Sequence, residues 1–145
     1  MKQKLLISSC LIGNNVKYNG KNNQIDLTSL EKKYTLIPFC PEVEGGLPTP
    51  RPPSEIVSQN PLKLINNQGK DVTKFFVDGA EKCLDLAKKE RIKKALLKAN
   101  SPSCSNSFVY DGTFSGKLVK ELGVTAKLLK DEGITVYNEN EIGKL

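Results

Sequence analysis

The chain has 145 residues, 22 Lys and Arg against 16 Asp and Glu, a formal net charge of +6, four cysteines and no histidine. That length fits one domain, 1–145, and buries ~68–70% of its unfolded surface, enough for one proper core. Without histidine, Ser-His-Asp and Cys-His catalysis and every imidazole zinc site are excluded, so proton transfer falls to carboxylates, lysine, tyrosine, cysteine or water.

Residues 4–8, Lys4-Leu5-Leu6-Ile7-Ser8, form a compact apolar run that predicts a short buried strand. Ser9-Cys10-Leu11-Ile12 follows, with a turn at Gly13-Asn14-Asn15. Residues 25–33 predict a short helix and residues 34–39 a second strand, with Pro38 near its end. Phe39-Cys40-Pro41-Glu42-Val43-Glu44-Gly45-Gly46 reads as a tight loop presenting a thiol and a carboxyl together, its glycines allowing positive φ and close backbone approach. Leu47 to Pro53 is proline-rich and is expected to run extended.

Residues 56–65 read as a hairpin edge and Asn66-Asn67-Gln68-Gly69 as a turn. Asp71 or Thr73 is the expected cap of a long helix reaching about Arg91, with Phe76, Ala80, Cys83, Leu84 and Ala87 on its apolar face. Residues 94–98 predict a third strand, 99–105 and 110–116 turn-rich loops, 124–132 a helix stopped by Gly133, and 134–137 the last strand. Strands alternating with helices give an α/β class: a single domain with a mostly parallel sheet and flanking helices, Rossmann-like and three-layered.

No apolar run approaches the ~20 residues of a membrane helix. The apolar stretch near the N-terminus, Leu5 to Ile7, is too short for a secretory signal. The expected compartment is the cytoplasm, where cysteines serve metals or catalysis more than disulfides. The lysines are scattered and no aromatic residues interleave them, which gives RNA binding only weak support.

In a parallel sheet, ligands bind beyond the carboxyl ends of the strands. Cys10 and Cys40 each follow a predicted strand closely, and Cys104 lies a few residues past a third. All three are therefore expected at one edge, while Cys83 belongs to the helix core. Three soft thiolates suit an iron–sulfur cluster, zinc or copper(I), and leave a coordination position open. Arg51, flanked by Pro50, Pro52 and Pro53, is a candidate for substrate contact or for a structural ion pair.

Five motifs occur in order: Ser9-Cys10-Leu11-Ile12-Gly13; Cys40-Pro41-Glu42-Val43-Glu44-Gly45-Gly46-Leu47 with Pro50-Arg51; Ser101-Pro102-Ser103-Cys104; Tyr110-Asp111-Gly112-Thr113-Phe114; and Gly123-Val124-Thr125-Ala126. Together they resemble the small thiouracil desulfurase family over essentially the whole chain. That resemblance implies a 4Fe–4S cluster on Cys10, Cys40 and Cys104, with one iron open to the sulfur of a thiolated pyrimidine. It also implies Glu42 as catalytic acid and Ser101 as active-site serine. Ser103 and Arg51 are expected to contact substrate, and Glu44 is the second choice of acid. The chain departs from the family pattern at Ser105, where glycine is usual, and at Asn19, where aspartate is usual.

The function expected is cluster-dependent, non-redox conversion of C=S to C=O in uracil-type bases, nucleosides or nucleotides, releasing hydrosulfide. The alternatives are a cluster-bearing sulfur carrier and a non-enzymatic, basic RNA-associated module with a structural metal.

Overall fold

The computed structural model describes residues 2–145. β1 (Gln3–Ser8), β2 (Tyr34–Phe39), β5 (Lys94–Leu96) and β8 (Thr135–Tyr137) form a parallel sheet in the order β2-β1-β5-β8. β1 is central because it is the most continuously apolar strand: Leu5, Leu6 and Ile7 are fully buried. Successive side chains alternate between faces. Leu6 packs on one side with Cys83, Ala87 and Leu129, and Leu5 and Ile7 pack on the other with Leu11 and Leu30.

Between those strands lie α1 (Thr28–Lys33), α2 (Pro41–Glu44), the hairpin β3 (Ser54–Gln59) and β4 (Leu62–Asn66), and α3 (Thr73–Lys89). The hairpin β6 (Phe108–Tyr110) and β7 (Leu118–Lys120) and helix α4 (Val124–Asp131) follow β5. α3 and α4 cover one sheet face; α1, the turn Ser9–Ile12 and the C-terminal residues cover the other. The α/β, three-layer expectation holds. α3 buries Phe76, Ala80, Cys83, Leu84 and Ala87, the five positions given by helical spacing. Its first turn is tied by Asp71, whose carboxylate accepts the Thr73 N–H at 2.9 Å.

Three local expectations are corrected. Cys40 to Gly46 is not a loop throughout. Cys40 caps the one-turn helix α2, and Pro41 occupies its first position, where a missing N–H costs nothing. The segment after it bends at Thr49-Pro50 instead of running extended, which folds Arg51 back toward Pro48 and Thr49. The region from 108 to 120 is a β-hairpin around the expected turns, with strands only three residues long.

Consecutive connections leave β1 and β5 toward opposite sides of the sheet, so the strand order reverses there. A ligand crevice forms beyond the strand ends at such a point.

Candidate active site

Cys10 lies in the tight turn Ser9–Ile12 directly after β1. Cys40 immediately follows β2. Cys104 lies in the turn after β5, and that turn is moored to α4: the N–H groups of Val124 and Thr125 donate to Pro102 O at 2.9 Å and Ser103 O at 2.8 Å. A cavity of about 420 Å³ beyond the strand ends is lined by all three cysteines and by Glu42, Arg51, Ser101, Lys98 and Tyr110. None of the four cysteines is in a disulfide.

Burial raises the pKa of each cavity thiol. For Cys10 it outweighs a hydrogen bond from Asn23 and the charge of Lys98. For Cys40 it outweighs the nearby Val43 N–H, while Glu42 raises it further and Arg51 opposes. For Cys104 the rise is largest, reinforced by the charge of Cys40 and opposed by the Ser8 hydroxyl. Such thiols ionise only when a cation or metal compensates them.

A sequence profile described as 2-thiouracil desulfurase matches residues 5–141. The chain belongs to the 2-thiouracil desulfurase family, a family of enzymes. An uncharacterized Bacillus subtilis (strain 168) protein, YbbK, is 40% identical, the match covering 97% of this chain and 99% of YbbK. A solved structure described as a 4Fe–4S-dependent thiouracil desulfidase, TudS, superposes with a TM-score of 0.93 at 40% identity. That match covers 99% of this chain and 95% of TudS.

The cavity residues of this family member fit an iron–sulfur cluster by donor chemistry. Three soft thiols face one space that no imidazole enters. No three His, Cys, Asp or Glu side chains among the described residues are set to grip a single metal ion. A cluster makes no such demand, because each thiolate binds a different iron at its own corner.

Two carboxyl groups line the cavity: Glu55, whose Oε1 accepts the Gly112 N–H at 2.9 Å and the Phe114 N–H at 3.1 Å, and Glu42, which lies beside the Cys40 turn. Burial raises the pKa of Glu42, and Arg51 pulls the other way. Its Oε1 accepts the Arg51 Nε–H at 3.1 Å. Its Oε2 takes no hydrogen bond from a described residue and is not sealed from the cavity, which leaves that oxygen to carry a proton. Glu44 is exposed and does not line the cavity.

Ser101 Oγ accepts the N–H groups of Ser103 at 3.1 Å and Cys104 at 3.0 Å, which shapes the cysteine turn and leaves its own O–H free to donate. The other two expected substrate contacts are placed differently. Ser103 is fully buried outside the cavity lining, and its hydroxyl shares a 2.8 Å hydrogen bond with Thr125 Oγ1. The turn points this side chain inward against α4, so it braces the Cys104 turn. Arg51 lines the cavity, but its guanidinium is taken up by Glu42, Pro48 O, Thr49 Oγ1 and Val16 O. It is the structural ion pair rather than a free substrate contact. Ser105 donates to Phe108 O and accepts the Phe108 N–H at 3.1 Å, a serine-specific use of the position where the family pattern has glycine.

Lys98, Asn23 and Glu55 are among the cavity residues that escaped sequence reasoning. Lys98 follows β5 at the same edge as the cysteines, and pairs with Glu139 at 2.7 Å, two residues after β8. The strand-end rule that found the cysteines could have found both. Asn23 lies in an irregular stretch with no local signal, and its Nδ2 donates to Cys10 Sγ at 3.4 Å.

Proposed function

We propose that residues 1–145 act as one desulfurase unit that converts C=S to C=O in thiolated uracil-type bases, nucleosides or nucleotides. The cofactor is a 4Fe–4S cluster held by Cys10, Cys40 and Cys104. The observation that carries this reading is the meeting of three unpaired thiols, a half-buried carboxyl and a serine hydroxyl in one cavity. Family membership and the likeness to TudS support it. When bound, such a cluster supplies an iron with an open position, a soft Lewis acid for the substrate sulfur.

The chain's own residues handle water and protons. The Ser101 O–H donates to the pyrimidine or to the attacking water and fixes its approach. Glu42 Oε2 moves the proton. Water oxygen bonds to carbon, the C–S bond breaks, and sulfur leaves as hydrosulfide. No electrons are gained or lost, so no reductant is needed. Arg51 holds Glu42 in place and preserves a charge partner when it ionises. A reducing cytoplasm, which keeps such thiols unpaired, is the compartment assigned.

The deciding experiment is anaerobic reconstitution with iron and sulfide, followed by incubation with thiouracil alone. A brown protein with broad visible absorbance that forms uracil and hydrosulfide without an acceptor supports the reading. Cluster uptake with sulfur release only to an acceptor would favour a sulfur carrier. A colourless zinc protein without turnover would sink both.

A further inference from the structure

Asn23 makes two contacts with one residue. Its backbone N–H donates to Cys10 O at 2.9 Å, and its side-chain Nδ2 donates to Cys10 Sγ at 3.4 Å. The backbone bond belongs to a short ladder, continued by the Ile25 N–H donating to Leu11 O at 3.0 Å. Asn22 adds its own ties, donating to Asn15 Oδ1 at 2.9 Å and accepting the Gln24 N–H at 3.0 Å. The path of residues 22–25 beside the cysteine turn is therefore fixed without the Asn23 side chain. That side chain is spent on the sulfur.

A ligating thiolate has no proton to donate, so an amide beside it can bond only through its N–H. Such outer contacts orient metal ligands, and hydrogen bonds to cluster sulfurs set reduction potential.

We propose that Asn23 is a positioning residue of the cluster site: its amide N–H aims Cys10 Sγ into the cavity and stabilises the negative charge that the sulfur bears as a ligand. The inference rests on the cluster reading above. Added negative charge on reduction makes the same bond stronger, so losing it lowers the potential. Lys98 and Glu139 act on the Cys10 charge in opposite directions, but neither hydrogen-bonds its sulfur, so the pair does not replace the amide contact.

The test uses the full chain, reconstituted anaerobically as native protein and as Asn23→Leu, Asn23→Asp and Asn23→Gln. Iron per chain, rate of iron loss to a chelator and midpoint potential are measured, with far-UV circular dichroism as the control for folding. Asn23→Leu is expected to lose iron several-fold faster and to have a lower potential. Asn23→Asp, isosteric but presenting a carboxylate to the sulfur, should shift further in the same direction. Asn23→Gln, which keeps an amide N–H, should recover part of the native behaviour. A folded Asn23→Leu with native potential and native iron retention overturns the inference. If that variant does not fold, the same two readings on Asn23→Asp decide. A native chain that takes up no iron overturns the cluster reading itself, which is a different result from a native chain and variants that load alike.

Discussion

Gly79 of α3 lies so close to Pro41 of α2 that a Cβ built on it would stand 1.9 Å from the Pro41 carbonyl oxygen. The contact is reciprocal along the helix pair, since a Cβ on Gly45 would stand 1.9 Å from Phe75 O. Only glycine permits this backbone-to-backbone approach, and it fixes α2, with Cys40 before it and Glu42 within it, against the longest helix. Gly79→Ala must push α2 away from the cavity. Overpacking of this kind costs about 1–3 kcal/mol. The expected result is a lower melting temperature together with loss of iron uptake at temperatures where the chain is still folded. Native iron content in Gly79→Ala would show that α2 position does not govern the site.

The Ser103–Thr125 hydroxyl pair gives a contrasting prediction. Thr125→Val keeps shape but strands the Ser103 hydroxyl in a site where both residues are fully buried. An unsatisfied buried hydroxyl costs about 1–3 kcal/mol. Stability should fall by that order, measured by denaturant unfolding, while KM for a thiouracil stays unchanged in the folded fraction. A raised KM with native stability would restore Ser103 as a substrate contact.

The sequence made the sheet legible because its strands are compact apolar runs, and the strand-end rule then brought Cys10, Cys40 and Cys104 to one edge. α2 was missed because its glycines and its proline dominated the reading. Yet Pro41 at the first position and Glu42 and Glu44 in the first turn are helix-start signals. The β6–β7 hairpin was missed for another reason. Phe108, Tyr110, Leu118 and Val119 are apolar yet exposed, so although Val109 is buried between exposed neighbours, no apolar–polar alternation in the sequence marked the strands. Asn23 could not be read at all, since only the tertiary path of residues 22–25 brings it to Cys10.

Glu141 ties the residues after β8 to the cysteine turn. Its carboxylate accepts Asn106 Nδ2–H at 2.7 Å and the Asn138 N–H at 3.0 Å, and Asn106 lies two residues past Cys104. The Asn106 and Asn138 hydrogen bonds, helped by Lys144, hold its pKa below the ordinary carboxylate value. The folded state then binds this proton less readily than the unfolded chain does. Its contribution to stability is present above the unfolded-state value and is lost as pH falls through the folded one. Acidification should therefore loosen the C-terminal segment, seen as faster amide exchange at Asn138 and Glu141 relative to the intrinsic rate at each pH. Glu141→Gln should show that faster exchange at neutral pH and respond less to acid. Identical exchange in both proteins at every pH would refute the brace.

Cysteine substitutions separate the proposed ligands from the core. Cys83 is fully buried among Leu84, Ala87 and Leu129, and burial alone pushes its thiol up to about 12. Cys83→Ala should keep full iron uptake at a cost of about 1–2 kcal/mol, the scale of a small buried truncation. Cys10→Ser, Cys40→Ser and Cys104→Ser should each abolish uptake, because a hydroxyl is a harder, poorer ligand for iron–sulfur chemistry. Iron assay and visible absorbance read both outcomes. Loss of iron in Cys83→Ala alone would reverse the assignment.

Glu42→Gln tests the proton path. The variant keeps the side-chain size and an oxygen to accept the Arg51 Nε–H, now made at 3.1 Å. Arg51 loses its counter-charge, but Pro48 O, Thr49 Oγ1 and Val16 O continue to hold its guanidinium. The cavity should therefore stand, and cluster absorbance should stay native. What disappears is the titratable proton on Oε2. General acid–base catalysis contributes ~10²–10⁴-fold, so turnover of a thiouracil should fall by that factor. Binding of the thiolated base should survive, because the soft sulfur contact with iron does not use that proton. Native turnover in Glu42→Gln would remove its acid–base role; the exposed Glu44 does not line the cavity. Loss of the cluster instead would make Glu42 a support of the Cys40 turn, its ion pair with Arg51 holding α2 in place.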